Sequence, residues 1–226
     1  MNRRMTKPSA TASVDARNLR DLKKLVAEGE GLHLEFKRKA AYPEKIVREL
    51  IAFANTEGGT LLVGVDDDGT IPGVKYPEEE IHVILEALTK TCRPLIVHQE
   101  SVLSISDNRS VVRFDVSPSL KRPHYLIHDQ QRETFVRVAD MSIKASVEMQ
   151  EILKRSRRKR DIHFSFGDAE KKLMEYLDVH TNITLNQYMK FSGLNRFRAR
   201  RKLILLVLAN VLKITASEKG DLFSRL

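Results

Sequence analysis

The stretch FANTEGGTLLVGVDDDG, at residues 53–69, is the most informative segment of this chain. It holds four glycines and four acidic residues around one short apolar run. Gly58 and Gly59 predict a turn, TLLVGV after them predicts a buried strand, and DDDG predicts the loop that ends the strand. The functional question is whether the glycines bind a nucleotide phosphate or whether the acids serve a different ligand.

The glycines in this stretch match no phosphate-binding motif. A P-loop has the pattern GxxxxGK followed by Ser or Thr, because its backbone amides surround the phosphates and its lysine reaches the terminal ones. Gly59 and Gly64 have the correct spacing, but Val65 and Asp66 follow them. The dinucleotide fingerprint GxGxxG is also absent. We therefore expect a structural role for this segment, and weak or no binding of ATP.

The flanking segments predict an α/β (α+β) domain in which helices pack on a mixed sheet. LHLEFKR at residues 32–38 alternates apolar and polar residues, which is typical of a strand. PEKIVRELIAFAN at residues 43–55 begins with proline and repeats apolar residues at helical spacing. Residues 118–133 are predicted to form a loop. The other predicted helices are 18–27 and 77–92, and the other predicted strands are 95–106, 110–117 and 134–138.

The acids beside the first two strands are candidates for a metal site. Glu30 and Glu35 lie five residues apart around the start of the first strand, and Asp66 and Asp67 close the second. Sheet proteins often place ligand groups at such strand ends. If the two strands are neighbours, Glu30, Glu35 and one aspartate would converge and hold Mg²⁺ or Mn²⁺ through oxygen ligands. The alternative is that the acids form ion pairs on a solvated face with nearby cations, namely Lys37, Arg38 and Lys39.

Composition changes at the end of this domain. Six of the seven residues at 154–160 are basic, which predicts a basic linker at 151–165 or the end of a helix. Residues 166–226 predict three helices and a β-hairpin, the arrangement of a winged helix-turn-helix. The third helix begins near Asn195 and would enter the major groove of duplex DNA; the alternative is that it docks a protein. Its first two turns carry five cations, which are Arg196, Arg198, Arg200, Arg201 and Lys202.

The bulk properties favour a nucleic-acid-binding protein of the cytoplasm. The 226 residues carry a net charge of +9, and a basic protein of this kind often binds a polyanion. No apolar run approaches the roughly 20 residues that a membrane span requires, so we expect no membrane partner. The single Cys92 allows no internal disulfide, which fits a reducing compartment. We expect a flexible arm at 1–17, a first domain at 18–150, and the winged helix after the linker.

Three segments of the first domain resemble the Schlafen AlbA-type domain, also called the divergent AAA-4 domain. They are EGEGLHLEFKRKA at 28–40, IVRELIAFANTEGGTLLVGVDDDGTIPGV at 46–74 and ETFVRVADMSIKA at 133–145. The bacterial relatives, in which such a domain commonly precedes a winged helix, are described as DNA-binding transcriptional regulators. The older family name implies ATP binding, but the missing P-loop lysine is evidence against it.

The resemblance also implies a possible catalytic site. Animal relatives include RNA-cleaving enzymes that use two glutamates and one aspartate as a metal-binding trio. Carried over to this sequence, the trio falls on Glu30, Glu35 and Asp67, with Asp66 as the alternative for the last. Those enzymes use two such lobes around the RNA, whereas this chain has one, so a homodimer would have to supply the second.

We therefore predict a DNA-binding transcriptional regulator, with duplex DNA as the preferred partner and RNA as a further one. The alternatives are a Mg²⁺- or Mn²⁺-dependent endoribonuclease and an ATP-binding switch protein. In the first domain the predicted nucleic-acid contacts are Lys37, Arg38 and Arg137. The other interpretation of Arg137 is an ion pair with Asp115 or Asp140.

Overall fold

The computed structural model describes residues 16–157 and 166–226, which form seven helices and twelve strands. The predicted arm at 1–17 lies outside these residues except for its last two, which begin the first helix. The helices are α1 Ala16–Ala27, α2 Pro43–Asn55, α3 Pro77–Thr91, α4 Val147–Ser156, α5 Asp168–Val179, α6 Leu185–Ser192 and α7 Arg196–Leu208. The strands are β1 Leu34–Lys37, β2 Gly59–Val63, β3 Cys92–Arg93, β4 His98–Ser106, β5 Arg109–Val116, β6 Tyr125–His128, β7 Gln131–Glu133, β8 Phe135–Val138, β9 Met141–Lys144, β10 Ile183–Thr184, β11 Leu212–Thr215 and β12 Leu222–Arg225.

A four-stranded sheet forms the centre of the N-terminal region, with the strand order β1-β2-β5-β4. β1 and β2 run parallel, with Leu34 opposite Thr60, and the other two pairs are antiparallel. Because successive side chains of a strand point to opposite faces, Leu61 and Val63 pack with α2 and α3, while Leu62 packs with α1. The sheet is thus covered on both faces, and the predicted mixed α/β fold is confirmed.

Gly58 and Gly59, in the opening stretch, allow a tight turn between α2 and β2. Gly58 has φ +81°, a backbone conformation that side chains other than glycine rarely adopt. A Cβ atom on Gly59 would lie 2.5 Å from the ring of Phe53, and one on Gly58 would lie 2.6 Å from the carbonyl oxygen of Val116. These close approaches explain both glycines by packing within the domain.

The predicted loop at 118–133 is wrong, because these residues include the hairpin of β6 and β7. The turn between the strands contains Asp129 and Gln130, with φ 45° and 64°. Such turns usually contain glycine or asparagine, so the sequence lacks the expected signal. Asn55 anchors the hairpin from α2, since its side chain accepts a bond from the His124 backbone N–H at 2.8 Å and donates to the carbonyl oxygen of the same residue at 3.1 Å.

Residues 166–226 fold into three helices and a three-stranded antiparallel sheet with the strand order β10-β12-β11. The short strand β10, between α5 and α6, was not predicted. α6 ends at Gly193, whose φ of 69° is typical of the residue that follows a helix. Asn195 then caps α7, because its side chain accepts a bond from the Arg198 backbone N–H at 2.9 Å. The core lies between the three helices and the sheet.

α4 packs against both regions of the protein. Residues 151–156 of the predicted linker form the C-terminal part of α4, and residues 158–165 lie outside the described residues. The helix forms because apolar residues at helical spacing find partners in both regions. Their shared cluster consists of Val136, Ile143, Ala145, Met149, Leu153 and Ala216. No helix within the two described ranges is both long and apolar enough to cross a membrane.

Candidate nucleic-acid interface and acidic cluster

The parallel pairing of β1 and β2 brings together the predicted acidic cluster, which consists of Glu30, Glu35 and Asp67. Glu30 lies in the turn before β1, where its carboxylate accepts a bond from the Phe36 backbone N–H at 2.8 Å. Burial raises the pKa of Glu30, the bond from Phe36 lowers it, and the carboxylates of Glu35 and Asp67 raise it again. The carboxylates of Glu35 and Asp67 therefore both lie within electrostatic range of Glu30.

The carboxylate of Glu35 forms ion pairs with two cations inside the domain. Its side chain, on β1, is only 8% exposed. Arg137 Nη2 donates to one carboxylate oxygen at 2.6 Å, and Lys37 Nζ donates to the other. Such charge-assisted bonds satisfy both oxygens of a carboxylate that would otherwise be costly to bury. Lys37 also donates to the carbonyl oxygen of Phe36 at 2.7 Å, so it is an internal partner more than a surface cation.

Our prediction that Arg137 contacts nucleic acid is wrong, because its side chain is buried. Its side chain is 1% exposed, and it pairs with Glu35 and with Glu49 Oε2 at 2.9 Å, instead of the predicted Asp115 or Asp140. Its guanidinium also donates to the carbonyl oxygens of Gly31 at 3.0 Å and Leu34 at 3.2 Å. Arg137, on β8, therefore connects its strand to α2 and β1 by hydrogen bonds, and its side chain is too buried to contact a phosphate.

The acidic cluster, as arranged here, does not fit a divalent metal ion. Among the described residues, no group of three His, Cys, Asp or Glu side chains is arranged to hold a metal. The reason lies in Glu35, because a metal would have to compete with Arg137 and Lys37 for its oxygens. The alternative ligand Asp66 instead faces Arg38, whose Nη1 lies 3.6 Å from Asp66 Oδ2.

The five predicted cations of α7 divide into two groups. Arg200 and Lys202 are half-buried and form ion pairs: Arg200 Nε donates to Glu148 Oε1 at 2.6 Å, and Lys202 Nζ donates to Glu170. These two residues fasten α7 to α4 and α5, which corrects the prediction that they contact nucleic acid. The remaining three are exposed, and we refer to them as the arginine face: Arg196, Arg198 and Arg201.

The arginine face is available to a ligand. Arg196 makes one long bond, from Nη1 to Asn186 Oδ1 at 3.4 Å. The side chains of Arg198 and Arg201 have no hydrogen-bond or ion-pair partner within the described part of the chain. On the side of α7 that faces away from Arg198 and Arg201, Ala199 and Leu203 are buried in the core. The helix therefore presents cations outward because its apolar residues hold it in one rotational orientation.

Glu170, on α5, stabilises α7 through its ion pair with Lys202. Burial acts to raise the pKa of Glu170, but bonds from Lys202 and from the Gly167 backbone N–H lower it more, so the net pKa is depressed. The depressed pKa keeps this carboxylate ionised and available as the counter-ion of Lys202. Tyr188, packed nearby, has a hydroxyl that is the one fully buried side-chain oxygen or nitrogen without a hydrogen bond among the described residues.

The partners of these cations could not be found from the sequence. Glu49 lies 88 residues from Arg137, and Glu148 lies 52 residues from Arg200. Neither pair has a short-range spacing that would indicate an ion pair. The sequence indicates these ion pairs only indirectly. Glu49 occurs next to the apolar positions of α2, and a charged residue that is buried there needs a partner.

Comparisons with known proteins give one family match and two solved structures of low similarity. The family described as Schlafen, AlbA_2 matches residues 30–146. Among solved structures, the DIP2311 protein of Corynebacterium diphtheriae is 16% identical with a TM-score of 0.44, over 92% of this chain and 38% of that protein. The N-terminal domain of a RecG-related protein of Nitrosomonas europaea is 18% identical with a TM-score of 0.43, over 66% of this chain and 98% of that domain.

This chain spans 38% of the length of the Corynebacterium protein, so the two are not equivalent over their full length. The family match, in contrast, includes the whole four-stranded sheet, the acidic cluster and Arg137. It extends over more than half of the 226 residues. The chain belongs to the Schlafen AlbA_2 family.

Proposed function

We propose that this protein binds duplex DNA through the arginine face of α7 and acts as a transcriptional regulator. The observation that carries the proposal is the segregation of charge along this helix. Arg196, Arg198 and Arg201 are exposed, while Leu203 and Leu206 in the later turns are buried. A helix that was merely solvated would have no reason to concentrate unpaired arginines at one end.

The element order of residues 166–226 supports this proposal. Three helices with strands after the first and third, and a sheet of order β10-β12-β11, are what a winged helix contains. α6 and α7 are joined by only three residues, 193–195, as in a helix-turn-helix pair. In that motif the second helix enters the major groove with its N-terminal residues against the base edges. Here those residues carry the arginine face.

The net charge and the family support a nucleic-acid-related role in general. A charge of +9 favours association with a polyanion, because each neutralised phosphate releases a counter-ion. In the AlbA_2 domain Arg38 is the predicted contact that the fold leaves accessible, since its side chain is 70% exposed and its bond to Asp66 is long. Lys37 and Arg137 are occupied by Glu35, so we assign them a structural role.

Metal-dependent RNA cleavage remains the alternative prediction. It would require Glu35 to exchange its bonds to Arg137 and Lys37 for a metal ion, and then to converge with Glu30 and Asp67. We give priority to DNA binding because its cations are already exposed and need no rearrangement.

The proposal is tested by fluorescence anisotropy with a labelled duplex. The variant is Arg198→Ala with Arg201→Ala, whose side chains make no bonds to the described residues, so we expect their removal to leave the fold intact. We expect DNA binding to weaken by about 1–3 kcal/mol for each arginine that contacts a base. The matched control is Lys171→Ala with Lys172→Ala on α5, which also removes two exposed charges. Equal affinities of the arginine variant and the wild type would refute the proposal.

A further inference from the structure

A groove lies between α4 and α7, next to the arginine face. Its volume is about 310 Å³, which is near the lower limit of the roughly 300–1,000 Å³ that small-molecule sites occupy. Three apolar side chains line it, namely Val147, Phe197 and Ile204, and three arginines surround them, namely Arg155, Arg200 and Arg201. The groove therefore combines an apolar surface with a cationic edge.

Phe197 is the unusual residue of this groove. It is the second residue of α7, between Arg196 and Arg198, and is 70% exposed. The aromatic residues of α6, in contrast, are packed: Tyr188 is fully buried and Phe191 stacks on Tyr176. Phe197 thus adds nothing to the core, and its ring is open to a flat ligand.

The charges around the groove favour an anionic ligand. Arg155 and Arg201 have no ion-pair partner within residues 16–157 and 166–226, while Arg200 is held by Glu148. Glu151 is the single acid in the lining. Arg201 follows Phe197 by one helical turn, so the two side chains lie on the same side of α7.

We propose that this groove holds an unpaired nucleobase, stacked on Phe197, with the adjoining phosphates on Arg155 and Arg201. The inference rests on the proposed function, because it requires the arginine face to hold the duplex next to the groove. Aromatic–base stacking tolerates any base and needs a base that is free of its own stack. The substrate class is therefore DNA in which a duplex adjoins a single-stranded segment.

An acidic peptide is the competing occupant, and two features favour the nucleotide. The groove is continuous with the arginine face through Arg201, so one nucleic-acid molecule reaches both. A nucleotide also supplies a flat ring and a phosphate at the short separation that Phe197 and Arg201 present, one helical turn apart.

The test compares three labelled DNA probes of one sequence: a blunt duplex, a single strand, and a duplex with a single-stranded tail. Two variants are compared with the wild type. Phe197→Ala removes the ring, and Phe197→Trp keeps an aromatic face. Phe166→Ala is the matched control, because Phe166 is another exposed phenylalanine, 59% exposed, that does not line the groove.

We expect Phe197→Ala to lower the affinity for the tailed duplex by about 5- to 150-fold, the range that loss of one stacked base produces. The blunt duplex should bind Phe197→Ala and the wild type equally, and Phe197→Trp should retain the binding of the tail. An equal loss on all probes, or no loss on any, would overturn the inference, as would an acidic peptide that competes with the tail while Phe197→Ala leaves DNA binding intact. Failure of the proposed function gives a different result, in which Arg198→Ala with Arg201→Ala binds the blunt duplex like the wild type.

Discussion

The substitution Arg137→Met tests whether the buried arginine stabilises the AlbA_2 domain. Methionine has a similar length and can remain against the Phe53 ring, over which the guanidinium carbon now lies 5.1 Å from the centroid. The substitution removes the ion pairs to Glu35 and Glu49, and both carboxylates remain in the domain interior. The cost therefore comes from two acids that lose their main cation, more than from a cavity.

The magnitude follows from what each acid retains. Removal of one partner from a buried ion pair costs about 3–5 kcal/mol. Glu35 keeps its bond from Lys37, and Glu49 keeps its bond from Ser142, so we expect the lower end, about 3 kcal/mol. Urea unfolding followed by circular dichroism measures this loss, because the chain has no tryptophan for fluorescence. The control is Arg113→Met, which breaks the half-exposed pair with Asp115 and should cost at most about 1 kcal/mol.

The pH dependence of the same variant gives a second readout. Burial raises the pKa of Glu49 above its ordinary value, so the folded protein binds this proton more tightly than the unfolded chain does. Glu49 therefore lowers the stability as pH rises through its folded pKa, and loss of Arg137 strengthens this effect. The deficit of Arg137→Met should become smaller as the solution is acidified toward the ordinary pKa of glutamate. A deficit below about 1 kcal/mol at pH 7, equal to that of Arg113→Met, would refute the reasoning.

Three further predictions concern the acids and the glycine stretch. Glu35→Ala should lower the urea midpoint by removing a partner of Arg137; an unchanged midpoint together with lost Mn²⁺-dependent RNA cleavage would instead favour the metal site. Mg-ATP should bind with a dissociation constant above about 10 μM by calorimetry, because no lysine follows Gly64; tighter binding would contradict this. Asp221→Asn should stabilise the protein at pH 7 but not near pH 4, because burial raises the pKa of Asp221 and ionisation therefore costs stability in the folded state; equal stability at pH 7 would show otherwise.

The parts of the fold that depend on local patterns could be predicted from the sequence. The alternation around Phe36 and the helical spacing of Ile46, Leu50 and Ala54 identify β1 and α2, because each pattern reports which face an element buries. The proximity of Glu35 and Asp67 to Glu30 depends only on β1 and β2 being neighbours, whereas an arrangement of the three acids that could hold a metal is not found among the described residues. The hairpin of β6 and β7 could not be predicted from the sequence, because its turn has no glycine or asparagine.

The candidate site was only partly predictable, for a physical reason. Charge along α7 indicated five possible DNA contacts, but helical spacing alone cannot show which cations meet acids from other elements. Arg200 and Lys202 are paired with Glu148 and Glu170 by tertiary packing, which leaves the arginine face for a ligand. The same limit applies to Arg137, whose partners come from β1 and α2.

The dependence of duplex binding on salt tests the central claim most directly. Each phosphate contact releases a counter-ion, so the slope of log Kobs against log salt counts the contacts, at about 0.9 per phosphate for B-form DNA. If Arg198 and Arg201 contact phosphates, Arg198→Ala with Arg201→Ala should reduce the magnitude of this slope by about two relative to the wild type. The account predicts that reduction together with an unchanged slope for Lys171→Ala with Lys172→Ala. The same slope together with the same affinity in the arginine variant and the wild type would contradict it.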